Sequence, residues 1–166
     1  MAATDDLIAS DHDDRSLAPP AVPSRAAIAG HPIHPMLVPL PIGALVGVLI
    51  ADIAYVRTHD AFWARGGRVL TDAGILAAGL AAMPGLIDFT GRDRIRAHPE
   101  AWLHAAGNAT VLGLAVVSHF IRNRDERAAA AGPGIAISAL SAGILGLTGW
   151  LGGELSYRHR IGVTES

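Results

Sequence analysis

Four separate stretches of this chain run for about twenty residues each with almost no charge, the length an α-helix needs to cross a bilayer. They cover 36–56, uncharged until Asp52; 69–89, uncharged between Asp72 and Asp88; 101–121, with no formal charge; and 134–155, uncharged until Glu154. A soluble four-helix bundle would carry a polar stripe along each helix, and none of these runs does. Composition agrees. Of the 166 residues 51% are hydrophobic and 17% charged, against about 25% charged in ordinary soluble domains. The expected fold class is all-α, a four-helix transmembrane bundle in contact with the lipid bilayer.

The connections, 57–68, 90–100 and 122–133, are short enough to force sequential helices antiparallel. Both termini then share one side, called face A here; the opposite side is face B. Residues 30–163 are expected to form the membrane domain. Residues 1–29, with Asp5, Asp6, Asp11, Asp13, Asp14 and three prolines, read as a disordered acidic tail without a secretory signal. The arginines are balanced: Arg25, Arg92, Arg94, Arg96, Arg158 and Arg160 at face A, and Arg57, Arg65, Arg68, Arg122, Arg124 and Arg127 at face B. The positive-inside rule therefore does not set the orientation. An untranslocated acidic tail favours face A as cytoplasmic, in a cell inner (plasma) membrane. Small residues at four-residue spacing (Gly43, Gly47 and Ala51; Ala105, Ala109 and Gly113; Gly149 and Gly153) are expected to line close helix contacts.

Polar residues gather at face A. His31 and His34 precede the first span, Asp88 ends the second, His98 and His104 flank the start of the third, and Glu154 ends the fourth, with His159 beyond it. Ionisable groups within spans are costly and turn toward the bundle interior or a water-filled cavity. The spacing from His31 to Asp88 nearly equals that from His98 to Glu154. That similarity suggests two pseudo-symmetric helical hairpins related by an axis along the membrane normal. The candidate site is His31, His34, Asp88, His104, Asn108 and Glu154, with His34 and His104 the best pair and Asn108 one turn from His104 to orient the ring or a substrate. Imidazole with carboxylate suits a divalent transition metal, and two facing histidines suit haem. The structural alternative has the histidines meeting loops or headgroups, and Asp88 and Glu154 paired with Arg92 and Arg158 at i,i+4.

At face B, Asp52 and Arg68 are expected to form a structural ion pair. The chain has no cysteine, which excludes disulfides and thiolate metal sites within it. Phosphate-binding loops, nucleophile elbows and nucleic-acid motifs are absent. Mid-membrane polar groups amount to Thr110, Ser138 and Ser141, too few for a solute or proton path. The competing functions are a redox-linked or metal- or haem-binding membrane subunit, a non-catalytic scaffold and, ranked last for want of mid-membrane polar groups, a small-solute transporter; a redox partner protein or a homo-oligomer is the expected company.

Gly30-His31-Pro32-Ile33-His34-Pro35-Met36-Leu37-Val38-Pro39-Leu40-Pro41-Ile42-Gly43 opens the first span, and Gly149-Trp150-Leu151-Gly152-Gly153-Glu154-Leu155 with Tyr157-Arg158-His159 closes the last. Together these segments resemble a bacterial family of predicted membrane proteins, domain of unknown function 2231, over about residues 30 to 163. The resemblance implies polar residues at Asp88, His104 and Asn108. Some members of that family are joined to a Rieske-type iron–sulfur domain, which implies electron transfer in the membrane. This cysteine-free chain would be the membrane half of such a system. Where the family commonly has His-Phe-Pro, Val38-Pro39-Leu40-Pro41 stands here, so one further membrane histidine is missing.

Overall fold

Apolar length sets how deep a helix lies, but not where it ends. The computed structural model describes residues 19–163, and each of its four long helices outruns its apolar stretch. They are Ile33–Thr58, Ala61–Gly91, Pro99–Arg124 and Pro133–Arg158. In chain order the elements are β1 (Ala27–Ile28), β2 (His31–Pro32), α1 (Ile33–Leu37), α2 (Pro39–Thr58), α3 (Ala61–Gly91), α4 (Asp93–Arg96), α5 (Pro99–Arg124), α6 (Glu126–Ala131) and α7 (Pro133–Gly153). A π-helical turn, Glu154–Arg158, finishes the fourth span.

The polar link expected over 57–68 is almost all helix. It shrinks to His59, in the left-handed region, and Asp60, whose side chain accepts from the Phe62 amide at 2.9 Å and caps α3. Asp125 caps α6 in the same way, accepting from the amides of Arg127 and Ala128. Good helix formers such as Arg65 continue a helix out of the lipid as readily as within it.

The bundle is inside-out relative to a soluble one. Leu76, Leu80, Met83, Leu86, Val117, Phe120, Leu140 and Leu147 face outward, while Asp52, Thr71, Ser118, Arg122, Ser138, Ser141 and Thr148 are buried. Only a lipid surround makes that arrangement favourable. Trp102, Trp150 and Tyr157 stand exposed at face A and Phe62 at face B, where amphipathic rings suit the interfaces.

The first span packs on the second and fourth, and the third packs on the same two, in a closed ring. The interior repeats. Pro41, Leu45, Val48 and Asp52 of α2 recur as Val111, Ala115, Ser118 and Arg122 of α5, each at the 70-residue separation of Asp52 from Arg122. Gly67, Thr71, Gly74, Ala81 and Pro84 of α3 recur, at a second constant separation, as Gly134, Ser138, Ser141, Thr148 and Leu151 of α7. The two hairpins are thus pseudo-symmetric. The register aligns His34 with His104.

Spacing picked out the small residues in tight contact only in part: a Cβ at Gly47 would stand 3.1 Å from Leu70, and Ala51 is buried. Gly43, Gly113 and Gly149 look onto open space. Closer approach falls at Gly74, where an added Cβ would stand 2.6 Å from Leu45, and at Gly107, 2.4 Å from Thr148.

Ahead of the first span, Ala29 (φ 49) and Gly30 (φ 80) make the two-residue turn between β1 and β2. Residues 19–29, expected within the tail, lie across face A. Val22 is buried with Ile95, Ala101 and Leu155, and it pairs with Ile161. The Asp5-to-Asp14 part of the expected tail lies outside the described residues.

Candidate functional site

Two places in the bundle hold ionisable groups deep within it, one toward each face. Toward face B, Arg122 Nη1 and Nη2 donate to Asp52 Oδ1 (2.8 Å) and Oδ2 (2.7 Å), a bidentate pair fully out of solvent. Arg122 Nε donates to Ser118 Oγ at 3.0 Å, and Ser138 Oγ donates to Asp52 Oδ2 at 2.8 Å. The expected partner, Arg68, is elsewhere: its Nε donates to Glu126 Oε2 at 2.9 Å. The Asp52–Arg68 pairing is therefore corrected to Asp52–Arg122. The cause is helix rotation. The interior faces of α2 and α5 put Asp52 and Arg122 at equivalent positions across the ring, whereas Arg68 lies beside the buried Gly67 and turns toward α6. Gly67 and Gly134 make room for the guanidinium; a Cβ at Gly67 would stand 2.9 Å from Nη1, and one at Gly134 3.1 Å from Nη2.

Sequence reasoning missed Arg122 because it closes an apolar run and counts as loop. Its recurrence at the position of Asp52, once the two hairpins are aligned, was the available signal. Ser138, counted as a mid-membrane polar group, belongs to this network. Asp72 is engaged too, accepting from His119 Nδ1 at 2.6 Å.

Toward face A, His34 and His104 come together, with ring centroids 6.1 Å apart and planes nearly perpendicular at 84°. Each Nδ1 is tied to a main-chain carbonyl of the neighbouring span, His34 to Ala81 O and His104 to Thr148 O, both at 2.8 Å. Ala81 and Thr148 are equivalent in the repeat. A carbonyl only accepts, so each Nδ1 carries the proton, and in a neutral ring Nε2 keeps the free lone pair. Gly85 and Gly152 let the rings lie against the helices: a Cβ would stand 2.8 Å from His34 Nδ1 and 3.1 Å from His104 Cε1.

The other candidate residues have different partners. Asp88 Oδ1 accepts from the amides of Arg25 (2.6 Å) and Ala26 (3.2 Å), and Oδ2 from Ser24 Oγ (2.6 Å). It anchors the segment ahead of the first span instead of pairing with Arg92. Glu154 accepts from Arg158 at 3.4 Å, the i,i+4 contact expected as its structural alternative. Asn108 Nδ2 donates to the main-chain carbonyl of His104 at 2.8 Å, so it bonds its own helix and not the imidazole. His31 is exposed, with Nδ1 at 3.0 Å from Ala29 O.

No curated protein matches the sequence, and no solved structure does. A family model described as "Predicted membrane protein (DUF2231)" matches residues 30–165. It covers all four spans and the histidine pair, so the chain belongs to the DUF2231 family of predicted membrane proteins.

Proposed function

We propose that this protein is a membrane subunit that holds a redox-capable transition metal between His34 and His104 near face A. The carrying observation is the matched anchoring of the two rings: both Nδ1 atoms are tied to equivalent carbonyls, so both Nε2 atoms are free to ligate. Main-chain carbonyls on the second nitrogen fix the tautomer and orientation of metal-ligating histidines elsewhere. The 6.1 Å centroid separation suits one metal atom between two imidazole nitrogens, with bonds of about 2.0–2.1 Å.

An ion alone fits the surroundings better than haem. Gly85 and Gly152 lie so close to the rings that an added Cβ would stand 2.8 Å from His34 Nδ1 and 3.1 Å from His104 Cε1. A porphyrin would need the helices to part. Among redox-capable metals, imidazole ligands suit copper, iron and nickel. In a redox role, electrons would pass at face A to a separate protein carrying the iron–sulfur centre that a cysteine-free chain cannot ligate through thiolate. The subunit would be multi-pass in the inner membrane, with face A cytoplasmic.

The test is metal analysis with visible absorption on tag-free protein in mild detergent. A stoichiometric metal that is lost in His34→Ala and in His104→Ala is the expected result. A haem spectrum lost in the same variants would keep the ligands and correct the centre. Protein that takes up no copper, iron or nickel, or whose uptake is unchanged by His34→Ala and His104→Ala, overturns the reading. It leaves the scaffold reading, which the satisfied Asp52–Arg122 pair favours.

A further inference from the structure

Beyond the spans, a second group of ligating side chains meets at face A. His98 precedes α5, Glu100 lies in its first turn, and His159 follows the π-helical turn that ends the fourth span. One potential ligand atom from each lies within 4.8 Å of the others. The two imidazoles are 4.0 Å apart between centroids and tilted by 40°. Three side-chain polar atoms among the described residues are buried without a hydrogen-bond partner, and two of them are here: Glu100 Oε2 and His159 Nε2. A buried carboxylate oxygen and a buried imidazole nitrogen with nothing to bind are costly. A cation between them would satisfy both.

The main chain around the group is held in place. The His159 amide donates to Glu154 O, the Ile161 amide to Leu155 O, the Val22 amide to Arg160 O and the Gly162 amide to Val22 O, at 2.8 to 3.2 Å. Arg160 sits in the left-handed region at φ 52, a conformation disfavoured for a residue with a Cβ. These contacts bring the segment after the fourth span back over the start of the third. Pro99 fixes the first turn of α5 between the other two ligands.

We infer that His98, Glu100 and His159 bind one divalent transition metal ion of the zinc type, which clasps the segment after the fourth span to the start of the third. Two imidazole nitrogens and one carboxylate oxygen are a donor set that zinc takes, with the fourth position left to water. Bonds of about 2.0–2.2 Å hold ligand atoms closer together than 4.8 Å, so small rotations of the three side chains would complete the shell. None of the three residues belongs to the His34–His104 pair, so the two sites stand or fall separately.

Titration of tag-free, metal-stripped full-length protein in detergent with Co²⁺ tests it, followed by displacement with Zn²⁺. In the His34→Ala protein one equivalent should bind with the strong visible bands of a four-coordinate ion and be displaced by Zn²⁺. His159→Ala and Glu100→Gln should each weaken binding by about tenfold or more, as even supporting residues of metal sites do. Both variants should elute as the wild type does in detergent; Glu100→Gln keeps the side chain's size and serves if His159→Ala does not fold. Signal that survives His34→Ala and disappears in His159→Ala supports this site whatever the fate of the first. No Co²⁺ uptake, or uptake undiminished in Glu100→Gln and His159→Ala, overturns it.

Discussion

The two ends of this bundle treat buried polar groups in opposite ways. Near face B, every nitrogen of the Arg122 guanidinium and both oxygens of Asp52 have a hydrogen-bond partner, with Ser118 and Ser138 joining the pair. Near face A, each imidazole of the His34–His104 pair commits one nitrogen to a carbonyl and leaves the other free, and Glu100 and His159 have orphaned atoms. Desolvation is costly at both ends. A closed network meets that cost internally and does structural work. An open one leaves positions that the chain itself does not fill. Charge in a membrane span is thus insufficient to mark a function; what distinguishes the two ends is whether the donors and acceptors are used up.

The largest expected effect comes from opening the closed end. Asp52→Ala leaves Arg122 buried and unpaired, which should destabilise the protein by about 3–5 kcal/mol. The double change Asp52→Leu with Arg122→Met should recover most of that loss, because it removes both charges. Thermal unfolding in detergent, followed by the fraction remaining monodisperse, compares the two. An Asp52→Ala protein as stable as the wild type would break the contrast.

A smaller effect should follow from crowding the same guanidinium. Gly67→Ala places a Cβ 2.9 Å from Arg122 Nη1 and 3.4 Å from Asp52 Oδ1, so the pair must shift, at about 1–3 kcal/mol. In the Asp52→Leu, Arg122→Met background the same substitution should cost measurably less. An equal cost in both backgrounds would show that Gly67 matters for helix packing and not for the ion pair.

The smallest effect should be at Arg68. Its bond to Glu126 is partly exposed, and such pairs are worth about 0–1 kcal/mol. Arg68→Gln should therefore shift the unfolding midpoint barely, and Asp52→Ala should be no milder in that background. A large loss in Arg68→Gln would tie Arg68 to the buried network after all.

The histidine pair is partly legible in the sequence. Antiparallel alternation puts the start of the first span and the start of the third at one face, so His34 and His104 had to share a depth. That they face each other follows from helix rotation, which the repeated interior positions of α2 and α5 reveal once Asp52 and Arg122 are aligned. Asp88 shares the depth but not the role, because the segment from Ser24 to Ala26 takes its oxygens. His98 and His159 are visible as members of the face A group. Their meeting with Glu100 depends on the turn after the fourth span and the pairing of Val22 with Ile161.

Sequence alone determined the membrane character, the four spans, their antiparallel order, the sorting of polar residues by face and the family resemblance. These are properties of segment length and composition, and each span carries its own. Tertiary structure decided that Asp52 takes Arg122 over Arg68, that Asp88 anchors an extramembrane segment, and which glycines are in tight contact. Those outcomes join residues up to 70 apart in sequence. They turn on how each helix is rotated about its axis, and in apolar runs with small residues on several sides no local pattern fixes that rotation until the helices pack.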